Sequence, residues 1–294
     1  MSLAILRQIS GALRTLNPNE VRALADRPVT LGILAADEAF FGRVVSFLMP
    51  EGLSEAKAAE TGRHILRVAS EEDFDRCQFG FAEPGLPHPP HFHPFDWRNP
   101  DAAVETVLKE QHELWVPIAR RFVAFRDPVI ERIIWKVSKE NAMFTVATAL
   151  PNVVPSIVSL PWAIGEFASD TAFLTMNQVR MAFLIAAASD CEVGYSKQRA
   201  QIASIIAAAF GWRAAARELV SKIPAGGGLL SKGLISFAGT YVVGKGLDRL
   251  LRIGRHLTRE ERKRMYLEAY ERGRDLVGGI VERFSGRVSV VRSA

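Results

Sequence analysis

The chain has 294 residues, of which 48% are hydrophobic and 23% charged, with a mean hydropathy of +0.08. This composition excludes a disordered chain and supplies apolar material for one large domain or two ordinary ones. The formal charge of +5 and the pI near 9.4 favour an acidic partner surface, anionic lipid or nucleic acid, over a small neutral ligand. Two cysteines, Cys77 and Cys191, are too few for a disulfide framework and too far apart for a metal motif.

Residues 1–16 predict a short amphipathic helix at the start of the chain. Arg7 and Arg14 interrupt the apolar stretch that a secretion signal needs, and no cleavage site of small residues follows. We therefore expect a cytoplasmic protein, and any membrane association is expected at the inner face of the cell membrane.

The first 85 residues predict a small α/β unit. Asn17 and Pro18, a cap residue and a first-turn proline, predict a helix that ends near Asp26. A buried strand is predicted at 29–35, and a helix with one apolar face is predicted at 37–49. Strand-like runs occur next at 64–69 and 77–81.

The turn from Gly32 to Ala39 lies where a phosphate-binding loop, GxxxxGK with a final Ser or Thr, would lie. Asp37 replaces the second glycine, Glu38 the lysine and Ala39 the hydroxyl residue. Two carboxylates would repel the triphosphate that backbone amides cradle, so we expect no bound nucleotide, and no cofactor of any kind is predicted. The turn is interpreted either as an ordinary strand-to-helix connection with an acidic helix N-terminus or as the relic of a degenerate G domain.

A proline-dense connector is predicted at residues 86–100, between the α/β unit and the rest of the chain. Within it, three imidazoles and a carboxylate at short spacing suggest a transition-metal site and, as one alternative, a metal-dependent hydrolase. The other interpretation is a solvated connector, because prolines hold the segment extended and neither HExxH nor CxxC is present. The candidate ligands are His88, His91, His93 and Asp96.

A larger helical domain is predicted at residues 101–294. Apolar residues recur there at three- and four-residue spacing, Asp127 and Pro128 predict one helix start, and Thr258 with Glu261 forms a capping box for another. In residues 287–292, polar residues alternate with valine, which predicts a strand that could pair with the N-terminal sheet.

The stretch 141–190 is the most unusual part of the sequence, because its first 25 residues carry no charge and contain three prolines. It is too kinked for a membrane span, so we expect a buried or membrane-surface element. Asn177 shares a helix face with Leu174, Met181 and Leu184, which predicts that Asn177 is buried and bonded to backbone freed by Pro151 or Pro155. The structural polar residues are expected to be Asn177, Gln178 and Arg180.

A helix hairpin with a glycine hinge is predicted at residues 197–251. Its second helix has small residues at four-residue spacing, which lets helices approach closely. A run of basic residues comes directly after it, and an anionic leaflet would attract this run. The alternative is a solvated basic face on a helix bundle. The candidate lipid- or partner-binding residues are Lys245, Arg249, Arg252, Arg255, Arg259, Arg262, Lys263 and Arg264.

Several short motifs occur in order along residues of about 127–251. They are Asn141 with Ala142, residues 149–151, 171–181, 210–217 and 223–224, and residues 239–241 with Gly244. Through these motifs, this part of the chain resembles an uncharacterised bacterial family known as domain of unknown function 697. This resemblance implies a helical module that is associated with membranes or with GTPases, and the N-terminal part resembles a degenerate G domain. Because a working G domain is missing, GTPase activity is not implied.

The sequence as a whole predicts an α+β protein that is mainly α, with a small N-terminal α/β unit before the helical hairpin domain. The expected function is non-enzymatic, namely binding to an anionic membrane surface or to a protein partner. This function has two alternatives. One is the metal-dependent hydrolase, and the other is a soluble helical scaffold or a regulator of a GTPase. Nucleic-acid binding is supported by pI alone, since a helix-turn-helix, a finger and an aromatic sheet motif are all missing from the sequence.

Overall fold

A computed structural model of the protein describes residues 3–150, 170–207 and 228–292. It confirms an α+β fold that is mainly α, with one small parallel sheet. The chain forms two compact units, each described by itself. The helical unit comprises Met1–Pro18, Arg132–Ile185 and Gly194–Ala294, and the sheet unit comprises Asn19–Glu131 and Ala186–Val193. This division differs from the predicted one, because the sheet unit continues past the proline-dense connector.

The sheet unit is built on four parallel strands in the order β2-β1-β3-β4. Strands β1 and β2 lie within the predicted runs, and β3 overlaps the run at 77–81 but ends one residue later. Strand β4 lies in the segment predicted as connector. That strand has three residues and lies at the edge of the sheet, where its terminal proline does not remove a hydrogen bond between strands. The strands are β1 Leu31–Leu34, β2 Ile65–Arg67, β3 Phe79–Ala82 and β4 Phe92–Pro94.

Helices connect and cover these strands. The helix predicted after β1 is confirmed, and Asp37 caps it by accepting a hydrogen bond from the Phe40 amide at 2.7 Å. Short 3₁₀ turns at His112–Leu114 and Val123–Phe125 flank the last helix of the unit. The first seven helices of the chain are α1 Leu3–Thr15, α2 Pro18–Ala25, α3 Glu38–Leu48, α4 Glu55–Gly62, α5 Glu71–Asp75, α6 Pro100–Glu110 and α7 Trp115–Arg121.

Phenylalanine rings fill the core of the sheet unit. Phe79 and Phe81 each meet Phe125, with ring centroids 5.8 and 6.3 Å apart. On the sheet, the Phe92 ring lies directly over Gly32 and Gly80, since a Cβ atom on either glycine would come within 2.4 Å of that ring. Gly32 is therefore explained by packing rather than by close approach to a phosphate.

The helical unit contains α1 and all or most of each helix from Arg126 onward. Residues 287–292, predicted as a strand, are helical, so that prediction was wrong. The strand preference of six residues with alternating valine is too weak to end the helix that begins at Arg274, and this helix contains no proline that would end it. The helices are α8 Arg126–Thr148, α9 Asp170–Ala188, a stretch at 199–207, α10 Leu229–Ile253, α11 Arg259–Arg272 and α12 Arg274–Arg292.

Small residues of α10 allow tight packing inside this unit. A Cβ atom on Gly244 would lie 2.7 Å from Ile134 of α8 and 3.1 Å from Met181 of α9. The second helix of the predicted hairpin is therefore confirmed as α10, and these small residues face protein. Residues 208–227, which include most of the predicted first helix and its hinge, lie outside the described residues.

Among the described helices, one, α9, is long and apolar enough to cross a membrane, over Thr171–Ala188. Of that window, 78% is buried inside the protein. The prediction of a buried element is therefore confirmed for α9, while residues 151–169 of the same apolar stretch lie outside the described part of the chain.

Candidate functional site

The predicted basic run, residues 245–264, forms the end of α10, a short turn and the start of α11. It holds eight basic and three acidic residues, so its net charge of +5 equals the formal charge of the whole chain. Gly254 ends α10 in the left-handed conformation, with φ of 66°, and donates its N–H to the Leu250 carbonyl at 3.0 Å. Thr258 and Glu261 then form the predicted capping box of α11.

Three arginines of the run are held by neighbouring carboxylates. Arg249 Nη1 donates to Glu261 Oε1 at 2.5 Å, and Arg252 Nε donates to Asp248 Oδ1 at 2.7 Å. Arg264 lies 3.8 Å from the Glu268 carboxylate in a looser pair. The Thr258 N–H and the Arg249 guanidinium lower the pKa of Glu261 to about 2, so this carboxylate stays charged and keeps Arg249 engaged.

Four further basic residues of the run are exposed, and no side-chain hydrogen bond or ion pair joins them to any residue that the structure describes. They lie in the turn after α10 and in the first turns of α11, where a large anionic surface can reach all of them. We call them the corner cations: Arg255, Arg259, Arg262 and Lys263.

A chain of buried amides and hydroxyls joins three helices in the helical unit. Asn177 of α9 donates to Asn141 Oδ1 at 2.8 Å, and Asn141 of α8 donates to Thr240 Oγ1 of α10 at 2.9 Å. All three side chains are almost completely buried. The predicted burial of Asn177 is confirmed. Its described partners are other side chains, whereas the predicted partners, backbone at Pro151 or Pro155, lie outside the described residues.

A buried ion pair adjoins this chain of polar groups. Arg180 Nη1 lies 3.4 Å from Glu140 Oε2, and Asn177 donates to the same carboxylate oxygen at 3.3 Å. Burial raises the pKa of Glu140, and the charge of Arg180 opposes that rise. Gln178 reaches Thr240 at 3.4 Å. Because these groups satisfy one another in the core, they hold α8, α9 and α10 in register, as expected of structural polar residues.

The four candidate metal ligands are separated in the structure. His91 Nε2 contacts the Phe74 carbonyl at 3.2 Å, and Asp96 accepts the Arg98 N–H at 2.9 Å. His93 is buried with Nε2 3.3 Å from the Glu110 carboxylate, and His88 is exposed. Across the described residues, no three His, Cys, Asp or Glu side chains converge as metal ligands. The predicted ligand set is not assembled, because the four groups contact different parts of the sheet unit.

The turn that corresponds to a phosphate loop is occupied by the protein's own carboxylates. Glu83 Oε2 accepts the Ala36 N–H at 2.8 Å, and Asp37 Oδ1 accepts the Phe40 N–H. Glu38 pairs with Arg67. These amides lie beside the β1–β3 switch point, where open parallel sheets bind ligands, but they already bond to anionic oxygens. The expectation that the chain binds no nucleotide stays a prediction, and this geometry supports it.

Comparison with models of protein families, with curated proteins and with solved structures gave no match to this chain. The resemblance to domain of unknown function 697 and to a degenerate G domain therefore stays a prediction from the sequence.

Proposed function

We propose that the protein is a non-enzymatic, peripheral membrane-binding protein of the cytoplasmic face, and that the corner cations bind anionic lipid headgroups. The observation that carries this proposal is the exposure of four basic residues at one corner, without a described carboxylate to neutralise them. Each basic side chain near an acidic leaflet contributes about 1 kcal/mol, so four together provide substantial attraction.

Surface attachment fits the fold better than insertion of a hairpin. The small residues of α10 are already in contact with α8 and α9, and α9 itself is mostly buried. Exposing either helix to lipid would remove these contacts and the bonds among Asn141, Asn177 and Thr240. The proposed contact is therefore limited to the corner between α10 and α11.

The other predicted functions have less support. A metal-dependent hydrolase would need His88, His91 and His93 to converge, and the described geometry separates them. A role as a regulator of a GTPase rests on the sequence resemblance alone. A protein partner of acidic surface would use the same corner cations, so the experiment must separate lipid from other anions.

The proposal is tested by changing all four corner cations to glutamine in the full chain. Binding to vesicles rich in phosphatidylserine, measured by co-sedimentation at low salt, should weaken by about two to three orders of magnitude. Arg249 and Arg252 are left unchanged because they bond to Glu261 and Asp248.

A matched control removes the same charge elsewhere, from three exposed arginines and one exposed lysine of the sheet unit. This control should bind vesicles within a few-fold of wild type. Equal losses in both variants, or wild-type protein that ignores anionic vesicles, would contradict the proposal. The control positions are Arg43, Arg63, Arg98 and Lys109.

A further inference from the structure

Ile253 is an exposed aliphatic side chain in the middle of the basic run. It is the last residue of α10 and has 58% of its surface exposed, although isoleucine is among the residue types most often buried. Arg252 precedes it and Arg255 follows Gly254. Among the large aliphatic side chains whose burial the structure describes, the most exposed one therefore lies in the same turn as the corner cation Arg255.

The turn that carries Ile253 is fixed by the fold. Gly254 turns the chain sharply out of α10, and Leu257, which is buried, packs against Gly246 of that helix. Because Leu257 anchors the far side of the turn, Ile253 remains outside the packed interior of α10 and α11. Its exposure is a consequence of helix termination rather than of a frayed end.

We infer that Ile253 inserts into the acyl boundary of an anionic bilayer while the neighbouring corner cations contact the headgroups. This inference rests on the proposed function and adds the mode of contact. An apolar side chain in the same turn as basic residues matches both layers of a membrane interface, which offers negative charge outside and hydrocarbon beneath it. A nucleic acid or an acidic protein surface would supply the charge without the hydrocarbon.

The test is the substitution Ile253→Lys, because charge and insertion predict opposite results for it. Charge attraction alone predicts tighter binding to every polyanion, since the variant gains one cation. Insertion predicts that binding to phosphatidylserine-rich vesicles weakens about tenfold, because the apolar contact is lost. Binding of the same variant to double-stranded DNA, a polyanion without an apolar phase, should be unchanged or tighter.

Leu267 provides the matched control. It is 49% exposed on α11, about 12 Å further along that helix than Arg259. Leu267→Lys adds the same charge at an exposed aliphatic position of α11, one helical turn beyond Lys263, and leaves Ile253 in place. It should bind vesicles as tightly as wild type or slightly tighter, and both lysine variants should retain the wild-type melting temperature.

The outcomes separate this inference from the proposed function. Wild-type protein that binds vesicles, together with Ile253→Lys that binds them equally or more tightly, overturns insertion and leaves surface binding intact. Wild-type protein that does not bind vesicles overturns both. A wild-type dimer that Ile253→Lys converts to a monomer would show that a second copy covers Ile253, which also overturns insertion.

A second measurement tests insertion directly. In Ile253→Trp, the fluorescence of the added tryptophan is obtained by subtracting the wild-type spectrum. On vesicle binding, this fluorescence should shift to shorter wavelength, and lipids brominated on their acyl chains should quench it. Vesicle binding without either change would place residue 253 in water and overturn the inference.

Discussion

In the sheet unit, the core is a set of phenylalanine rings in edge-on and stacked contact, whereas in the helical unit an asparagine pair and a threonine bond one another across three helices. The first core is specified by shape. The second combines apolar packing, such as the stacked rings of Phe144 and Phe173, with buried donors and acceptors, which must be matched once water is excluded.

The two cores therefore tolerate different kinds of substitution. An apolar core accepts another apolar residue of similar volume but resists added atoms. A buried polar chain resists an apolar residue even of the same volume, because removing one member leaves the others without partners. Substitutions that alter volume in one unit and polarity in the other should therefore separate the two mechanisms.

The largest effect is expected from Gly80→Ala. Its Cβ atom would lie 2.1 Å from the Phe92 ring, and that ring is confined against Phe74 with centroids 4.9 Å apart. The free energy of unfolding should fall by about 3 kcal/mol, as for other overpacked cores. Urea unfolding of the variant and of wild type measures the loss.

Gly42→Ala in α3 is the control, since a Cβ atom there would meet nothing within 4 Å. It should stabilise the protein by about 0.5–1 kcal/mol through helix propensity. The double variant Gly80→Ala with Phe92→Leu should recover part of the loss. An undiminished loss in the double variant would show that Phe92 is not the obstacle.

A smaller effect is expected from Asn177→Leu, which removes the polarity at similar size. Asn141 Oδ1 would lose its donor and Glu140 one of its hydrogen bonds, so unfolding should become easier by about 2 kcal/mol. Gln178→Leu is the control: Gln178 is half-buried and its bond to Thr240 is 3.4 Å long, so its loss should be under about 1 kcal/mol. Equal losses in the two variants would mean that burial of Asn177 carries no special cost.

Much of the fold was predictable from local signals. The helix start at Asp37 and the capping box of Thr258 and Glu261 depend on residues within three positions of one another, so the sequence alone predicts these two helix starts. Strand β4 was missed because a three-residue edge strand beside prolines has no periodicity to detect. The prediction of a strand at residues 287–292 was wrong because alternating valines over only six residues are equally compatible with a helix.

The candidate site was predictable only in part, because its chemistry depends on contacts between distant positions. The sequence predicts that the 245–264 run is basic, but it does not reveal that Arg249 bonds to Glu261 while Arg255 has no described partner. The burial of Asn177 followed from helical spacing. Its partner Asn141 is 36 residues away, and the Asn141–Thr240 bond spans 99 residues, distances over which no spacing rule operates.

The smallest change in stability is expected from the titration of Glu140, the buried carboxylate of the helical unit. Burial, opposed by Arg180 and Lys136, raises the pKa of Glu140 above its ordinary value of 4.5, so the folded protein binds this proton more tightly than the unfolded chain does. The contribution of Glu140 to stability should therefore grow as pH falls from neutrality through the raised pKa toward 4.5.

Glu140→Gln isolates this contribution, because glutamine keeps an acceptor for Asn177 and does not titrate. Urea unfolding of both proteins between neutral pH and pH 4.5 gives the difference in free energy at each pH. We expect wild type to gain on the variant as the solution is acidified. A difference that shrinks on acidification would mean that the pair with Arg180 outweighs burial, and that the helical unit is stabilised by an ion pair rather than by its neutral hydrogen bonds.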